Sequence, residues 1–492
     1  MASESGRRTL RAVRPAVKRR LGIDARGLAA FRIALGCLLG YDLLLRAGDL
    51  RAFYTDSGVL PRAVNAALYP TLSELSLHGL SGELWVQALL FVVAGVFAAL
   101  LTVGYRTRLS ATVSWILLAS LQLRNYLVLN GGDTVLLVVL FVGLFLPLGE
   151  RWSLDAVARE RRPTREFVAG FGTAALLSQV VLIYTTNAIF KLRGSLWMEG
   201  IAVRYVFALD RFTVRLGDFF AGVEPLLVAV NWAWFALLVA APLLVVLVGR
   251  GRTALTAAFI AAHVGMYLTM ELGLFPHVMV ACLLVFLPPS VWDRIERRLS
   301  GSATRLEERL TTTEGRPSVP VWPSVPKPVR RAASAAIPAA TATILVVGLL
   351  WQAAAVGYLS VPSDAPVDPE AHSWKLFAPD PPTTDGWFVV DAELESGETV
   401  DAYPHADTGR DRPPDIAATY PNARWRKYLS EVRSGGQVER RAFADYLCRT
   451  AVGDASVDSV TVGFVREEVR FDGSNPSEYV EFGTYDCPAV GR

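Results

Sequence analysis

Residues 176–200 read LLSQVVLIYTTNAIFKLRGSLWMEG. The stretch closes an apolar run that begins near residue 167 and is long enough to cross a bilayer core of about 30 Å. It then delivers one lysine, Lys191, to the boundary. The chain holds 5 Lys against 44 Arg, so a basic residue was available here as Arg at no visible cost. Lysine differs in one property that matters to chemistry: a desolvated amine can give up its proton, which a guanidinium does not do. Lys191 therefore has two readings. It is a general base at the edge of hydrocarbon, or it snorkels to the outer headgroups.

Outward from that run, the pattern repeats. The 492-residue chain is 52% hydrophobic and 19% charged, with a mean hydropathy of +0.34. The apolar residues fall in blocks near span length, which excludes a soluble globular protein. Spans are predicted at about 28–46, 84–104, 109–128, 134–149, 167–190, 224–248, 253–270, 273–289 and 335–359. The first contains Arg32 and Asp42. Ten helical residues separate them by about 15 Å, so they do not pair directly, and each is expected to face protein or water. Residues 192–223 are expected to lie along the interface or re-enter.

The expected fold is an all-α polytopic membrane bundle of about nine transmembrane helices with a small extracytoplasmic α+β C-terminal domain. Residues 1–20 form a basic cytoplasmic arm and 21–295 the main transmembrane domain. Residues 296–333 are a cytoplasmic linker, 334–360 the last transmembrane helix and 361–492 the outside domain. Orientation follows from the positive-inside rule. With the N-terminus cytoplasmic, the inner segments hold 26 Lys and Arg and the outer loops hold 8. A multi-pass protein of the cell membrane is expected, with the bilayer as a partner and no nucleic acid.

The C-terminal segment is a different material. Residues 386–403 read as two strands around a Ser-Gly turn, 457–471 and 477–485 as further strands, and 427–448 as a helix broken at Ser434-Gly435-Gly436. Cys37 and Cys282 fall in spans, where a thiol is a small apolar filler. Cys448 and Cys487 fall in the outside domain, where a disulfide between them suits an oxidising compartment.

The chemistry-bearing residues gather at the outer end of the predicted bundle. Lys191, Asp42, Tyr54, Asp56, Asp133, Glu271 and His277 all fall there. His263 lies inside the seventh span, where an ionisable group is a functional candidate and a hydrogen-bonded structural histidine is the alternative. None of the five histidines pair at metal-ligand spacing, so no metal is expected. The sequence has no phosphate loop, dinucleotide fingerprint, nucleophile elbow or HExxH helix. FAPDPPTTD at 377–385 reads as a rigid surface turn.

Several stretches together resemble a known family: GLAAFRIALGCLLGYDL (27–43), VGYRTRLS (103–110), ERWSLDA (150–156), IFKLRGSLWMEGIAVRY (189–205) and AHVGMYLTMELGLFPHVMVACLLVFLP (262–288). They look like the transmembrane region of vitamin K-dependent gamma-carboxylase and its prokaryotic relatives, the HTTM (horizontally transferred transmembrane) proteins. FYTDSGVLPR (53–62) and HSWKLFAPDPPTTDGWFVV (372–390) further resemble the prokaryotic branch. The resemblance implies a hydroquinone bound in the bilayer and a lysine base, at the position of Lys191, that activates it. It also places a family histidine at His263. The carboxylase uses another histidine after an Asn-Asn pair. Here the matching stretch reads Asn130-Gly131-Gly132-Asp133, leaving Asp133 as the titratable group.

The candidate catalytic residues are therefore Lys191, His263 and Asp133. The resemblance implies a membrane quinone or hydroquinone as cofactor, and an extracytoplasmic peptide or protein as a candidate substrate, for a carboxylase-like lyase or another quinone-linked enzyme. The competing reading is a non-enzymatic scaffold, maturation or binding protein that displays the C-terminal domain. Transport is a third reading, and the repeated halves with interrupted spans that would favour it are not seen. The topology is open to direct test: a membrane-impermeant thiol reagent added outside should label a cysteine placed in 361–492 and miss one placed in 295–330. The reverse pattern would end this orientation.

Overall fold

The computed structural model describes residues 15–158, 166–298, 327–362, 367–403, 410–450 and 456–488. Most of the basic arm, residues 299–326 of the linker and His405 lie outside the described residues. The main helices are α1 Ala25–Ala47, α2 Leu84–Val103, α3 Thr107–Arg124, α4 Gly131–Gly143, α5 Phe171–Lys191, α6 Glu224–Ala240, α7 Gly249–Thr269, α8 Phe275–Leu283 and α9 Lys327–Ala355. Each overlaps one of the nine predicted stretches, but nine membrane crossings do not follow from them.

Four of them are by themselves long and apolar enough to cross a membrane: α1, α2, α5 and the Ala336–Ala355 part of α9. A fifth counts if Phe275–Phe286 and Pro289–Arg298, bent by 103°, form one broken crossing. The others fall short for identifiable reasons. Helix α4 has 13 residues. Helix α6 stops at Ala240, just before Pro242, which offers no backbone N–H to a continuing helix. Helix α3 carries Arg108, Arg124 and Gln122, and α7 opens with Arg250 and Arg252. Some of these polar groups are taken up by protein: Gln122 donates to Asp133 O at 3.0 Å and the Arg252 guanidinium lies over the Phe286 ring. Arg124 donates to Leu60 O at 2.9 Å and to Thr55 O at 3.3 Å.

Arg32 and Asp42 do not meet. Arg32 donates to the carbonyls of Leu148 and Arg151 at 3.1 Å and of Trp152 at 2.5 Å, fastening the turn that precedes Asp155. Asp42, ten residues on, belongs to the opposite end of the helix. The bundle core runs through Leu35, Val139, Leu176, Val180, Phe259 and Cys282. Cys282 is buried there as an apolar filler, whereas Cys37 is exposed. Helices α1 and α2 cross closely at Gly36, where a Cβ would sit 2.2 Å from Thr102 Oγ1 and 2.9 Å from Ala98 O.

The C-terminal region is a four-stranded antiparallel sheet with two helices. The strands are β1 Thr384–Leu394, β2 Thr399–Asp401, β3 Val457–Glu468 and β4 Ser477–Asp486, in the spatial order β2-β1-β3-β4. The β1–β2 turn passes through Gly397 at φ +81°, a conformation that costs glycine nothing. One face of the sheet packs Phe388, Val390, Val462 and Phe464 against Tyr428, Val432 and Phe443 of the helices α10 Ala423–Ser434 and α11 Gln437–Thr450. The opposite face buries Trp387, Val389 and Val465 with Ile416. The helix break falls at Gly435 and Gly436, as the sequence indicates.

This region shares a core with one end of the bundle. Phe53, Tyr54, Val59, Leu121 and Leu127 belong to the same apolar cluster as Phe388, Trp425 and Tyr428, and the Phe53 and Trp425 rings lie 4.8 Å apart.

Cys448, near the end of α11, and Cys487, just past β4, are disulfide-bonded across 39 residues of sequence. On the chain-entropy account a loop of that size stabilises the fold by roughly 4 kcal/mol. Reductant, or the Cys448→Ala/Cys487→Ala pair, should lower the unfolding midpoint of the C-terminal region by several degrees in a thermal scan. A midpoint that does not move would remove the bond's assigned role.

Candidate functional site

Helix α5 sets the site. Its positions Ile183, Tyr184, Asn187 and Lys191 recur at helical spacing, and all four face one cavity. The cavity has a volume of about 830 Å3 and lies between α5, α6 and α7, with residues of the C-terminal region as its roof. Lys191 is the last residue of α5, where a cation also complements the helix dipole.

The lysine is 1% exposed. Its Nζ donates to the carbonyls of Leu376 and Phe377, both at 2.9 Å, and sits 3.5 Å from the centre of the Trp197 ring. No carboxylate contacts it among the described residues. The two carbonyls converge because Phe377 adopts a left-handed backbone (φ +48°), a cost of order 1–3 kcal/mol in a non-glycine residue. The Phe377 carbonyl also accepts from Trp197 Nε1 at 2.8 Å. One turn earlier on α5, Asn187 Nδ2 donates to Trp374 O and Leu376 O at 3.1 and 3.0 Å. Asp380 caps the short helix Ser195–Met198, accepting from the Ser195 and Leu196 backbone amides at 3.0 and 2.9 Å.

The reading of FAPDPPTTD as a surface turn is thus corrected. Residues 374–380 reach into the bundle, because their carbonyls and Asp380 satisfy donors of α5 and of the segment that follows it.

His263 stands one layer behind the cavity wall. Its Nε2 is 2.8 Å from the Tyr184 hydroxyl, and its ring is flanked by Trp234 and Phe275 at 5.8 and 5.6 Å. Tyr184 itself lines the cavity, so His263 reaches the space through that phenol.

Asp133 is placed differently. Its Oδ2 accepts from the Asn130 backbone amide at 2.8 Å, reaching back from the first turn of α4 to its N-cap residue. Its Oδ1 accepts from Arg46 at 2.6 Å and from Arg424 at 3.2 Å. Asp42 completes the cluster, accepting from Arg46 Nε at 2.8 Å and from Arg424. Tyr54 accepts from Arg46 Nη1 at 2.5 Å. All five residues are buried. Asp133 therefore belongs to an ionic cluster between the bundle and α10, while its neighbours Asn130 and Gly131 line the cavity.

The other groups that the sequence gathers with Lys191 also pair away from it. Asp56 binds Arg62 at 2.8 Å, Glu271 binds Arg215 at 3.1 Å, and His277 packs on Tyr267 at 4.7 Å.

Arg424 and Arg426 were not among the sequence candidates. Arg426 donates to Arg211 O at 2.8 Å and to Glu271 O, and it also faces the cavity. The only local signal was the basic-aromatic run Arg424-Trp425-Arg426-Lys427 on a helix, which reads equally as a solvated face.

Removing one partner of a buried charge cluster costs about 3–5 kcal/mol, because the remaining charges stay buried and uncompensated. Arg424→Ala should therefore loosen the C-terminal region from the bundle. The expected signs are a lower melting temperature and faster proteolysis between residues 356 and 384. Wild-type resistance in both would show that the cluster does not hold the two parts together.

The model of one family, the HTTM domain, matches residues 21–292. No curated protein and no solved structure matches the chain.

Proposed function

From the premise that this chain belongs to the HTTM domain family, membrane proteins of the gamma-carboxylase-like kind, we propose that it is a membrane-embedded enzyme acting on a lipophilic hydroquinone, with Lys191 as the base. The observation that carries this reading is a fully buried lysine, without a carboxylate partner among the described residues, on the wall of a large apolar cavity.

The residues present fit such a group. Aromatic walls from Trp234, Phe212 and Phe377 suit a fused ring. Asn130 Oδ1 is buried without a hydrogen-bond partner on the same wall, an acceptor suited to a hydroxyl. A hydroquinone, when bound, supplies an acidic O–H and reducing electrons.

The base must be neutral part of the time. A neutral amine keeps both carbonyl bonds, since its two N–H groups serve Leu376 and Phe377. What it loses is the attraction of the Trp197 ring, worth about 2 kcal/mol when desolvated. His263, hydrogen-bonded to Tyr184, serves as a positioning residue for that phenol.

On this reading the protein sits in the cell membrane with its N-terminus cytoplasmic and its C-terminal domain outside. The 26-to-8 charge bias and the Cys448–Cys487 bond support that placement. An outside peptide or protein is then the natural second substrate.

A specific observation favours a second, non-enzymatic reading. Lys191 and Asn187 together hold the backbone of residues 374–377, which is also what an anchor for the C-terminal domain would do.

Oxygen uptake by the purified protein in liposomes, supplied with menahydroquinone-4, separates the two. The base reading expects uptake above the protein-free rate and a loss of about 10²–10⁴-fold in Lys191→Arg, the usual worth of a general base. It expects part of the rate to return when small primary amines are added to Lys191→Ala. Full turnover in Lys191→Arg would end it, because a guanidinium cannot take the proton. A parent protein with no uptake, and a Lys191→Ala protein that merely melts earlier, would establish the anchor.

A further inference from the structure

The two ends of the cavity differ in chemistry. Between α6 and α7 the wall is hydrocarbon: Leu226, Val230 and Leu237 on one helix, Ala262 and Met266 on the other, each set at helical spacing. Leu226 and Val230 of this wall are 39% and 40% exposed, so the wall has an accessible apolar edge.

Towards the C-terminal region the lining turns cationic, with Lys191, Arg211, Lys375, Arg426, Lys427 and Arg433. None of the lining residues is an acid. Arg211, Lys375 and Lys427 have carboxylate partners outside the lining, namely Asp385 at 3.2 Å, Glu370 at 2.9 Å and Glu431. Lys191, Arg426 and Arg433 have none among the described residues. Arg426 is held by backbone carbonyls, and the Arg433 guanidinium lies over the Phe464 ring at 5.0 Å. Burial pushes the Arg426 guanidinium down to about 10 and also lowers Arg433, with Arg211's charge a further cause for both. The cationic end is short of negative charge.

We propose that this cavity binds an anionic amphiphile, a lipid whose phosphate headgroup sits against Arg426 and Arg433 and whose hydrocarbon tail lies between α6 and α7. Guanidinium groups match phosphate oxygens in bidentate geometry. The accessible apolar edge lets the molecule enter sideways from the membrane. The hydroquinone reading uses the apolar walls and Lys191 and leaves the cationic end without an occupant, so this inference goes beyond it.

The test uses the full-length protein in nanodiscs of neutral phosphatidylcholine, with binding read by the fluorescence of the wall residues Trp197 and Trp234. Three probes are compared: dihexanoyl phosphatidic acid, dihexanoylglycerol with the same tails and no charge, and inorganic phosphate. The phosphatidic acid should bind at least tenfold more tightly than either of the others.

Arg433→Gln should weaken phosphatidic acid about tenfold and leave dihexanoylglycerol unchanged, and Lys427→Gln checks the same end independently. Gly265→Leu should weaken both lipids, because a Cβ there meets no atom within 4 Å and the added side chain fills the cavity. Equal binding of dihexanoylglycerol, equal binding of phosphate alone, or unchanged phosphatidic acid affinity in both charge variants would overturn the proposal. Absence of hydroquinone turnover would leave these binding results standing, so the two readings fail separately.

Discussion

Two carboxylates and two guanidinium groups, buried together where α1, α4 and α10 meet, set the terms for the rest of the molecule. Asp42, Asp133 and Arg46 come from the bundle, and on their own they carry one uncompensated negative charge. Arg424 from α10 brings the sum to zero. In a medium of low dielectric an unpaired charge costs several kcal/mol, while a balanced and fully hydrogen-bonded set roughly breaks even. The cluster therefore adds little net stability. What it supplies is a penalty for every arrangement in which α10 is elsewhere. Around it, the apolar cluster of Phe53, Trp425 and Tyr428 provides the favourable term.

The same cross-complementation recurs around the cavity. Lys191 of α5 finds its acceptors in residues 376 and 377, Arg211 of the bundle finds Asp385 of β1, and Arg426 of α10 finds two bundle carbonyls. Each part of the chain leaves polar groups unsatisfied that only the other can satisfy. The cavity is a by-product of that fit. Its walls are apolar because they are bundle helices, and its roof is cationic because α10 turns Arg426, Lys427 and Arg433 towards it.

The helices were legible in the sequence because burial in lipid or in a bundle core demands long apolar blocks, and nine such blocks stand out. Their ends were less so. Pro242 and the bend before Pro289 cut two runs whose composition continues past them. The strands were legible from composition and turn residues, and the disulfide from the pairing of the two cysteines left outside the spans.

The site divides differently. Lys191 stood out by residue type alone, as one of five lysines. Asp133 stood out equally, but nothing local to residue 133 reveals that Arg46 and Arg424 take up its oxygens. Arg424 looks like any cation on an amphipathic helix, and residues 377–385 look like a proline-rich surface turn, because what gives each its role lies in another part of the chain.

The ionic cluster has a consequence in time. Asp42 and Arg424 are 382 residues apart. At about 5–20 residues per second, roughly 20–75 s of synthesis separate them. Through that interval this end of the bundle holds a carboxylate whose final counter-ion does not yet exist, with Arg46 as its early partner. The bundle therefore matures in two stages. The first inserts helices that are incomplete at one end, and the second closes that end when α10 arrives from the far end of the chain.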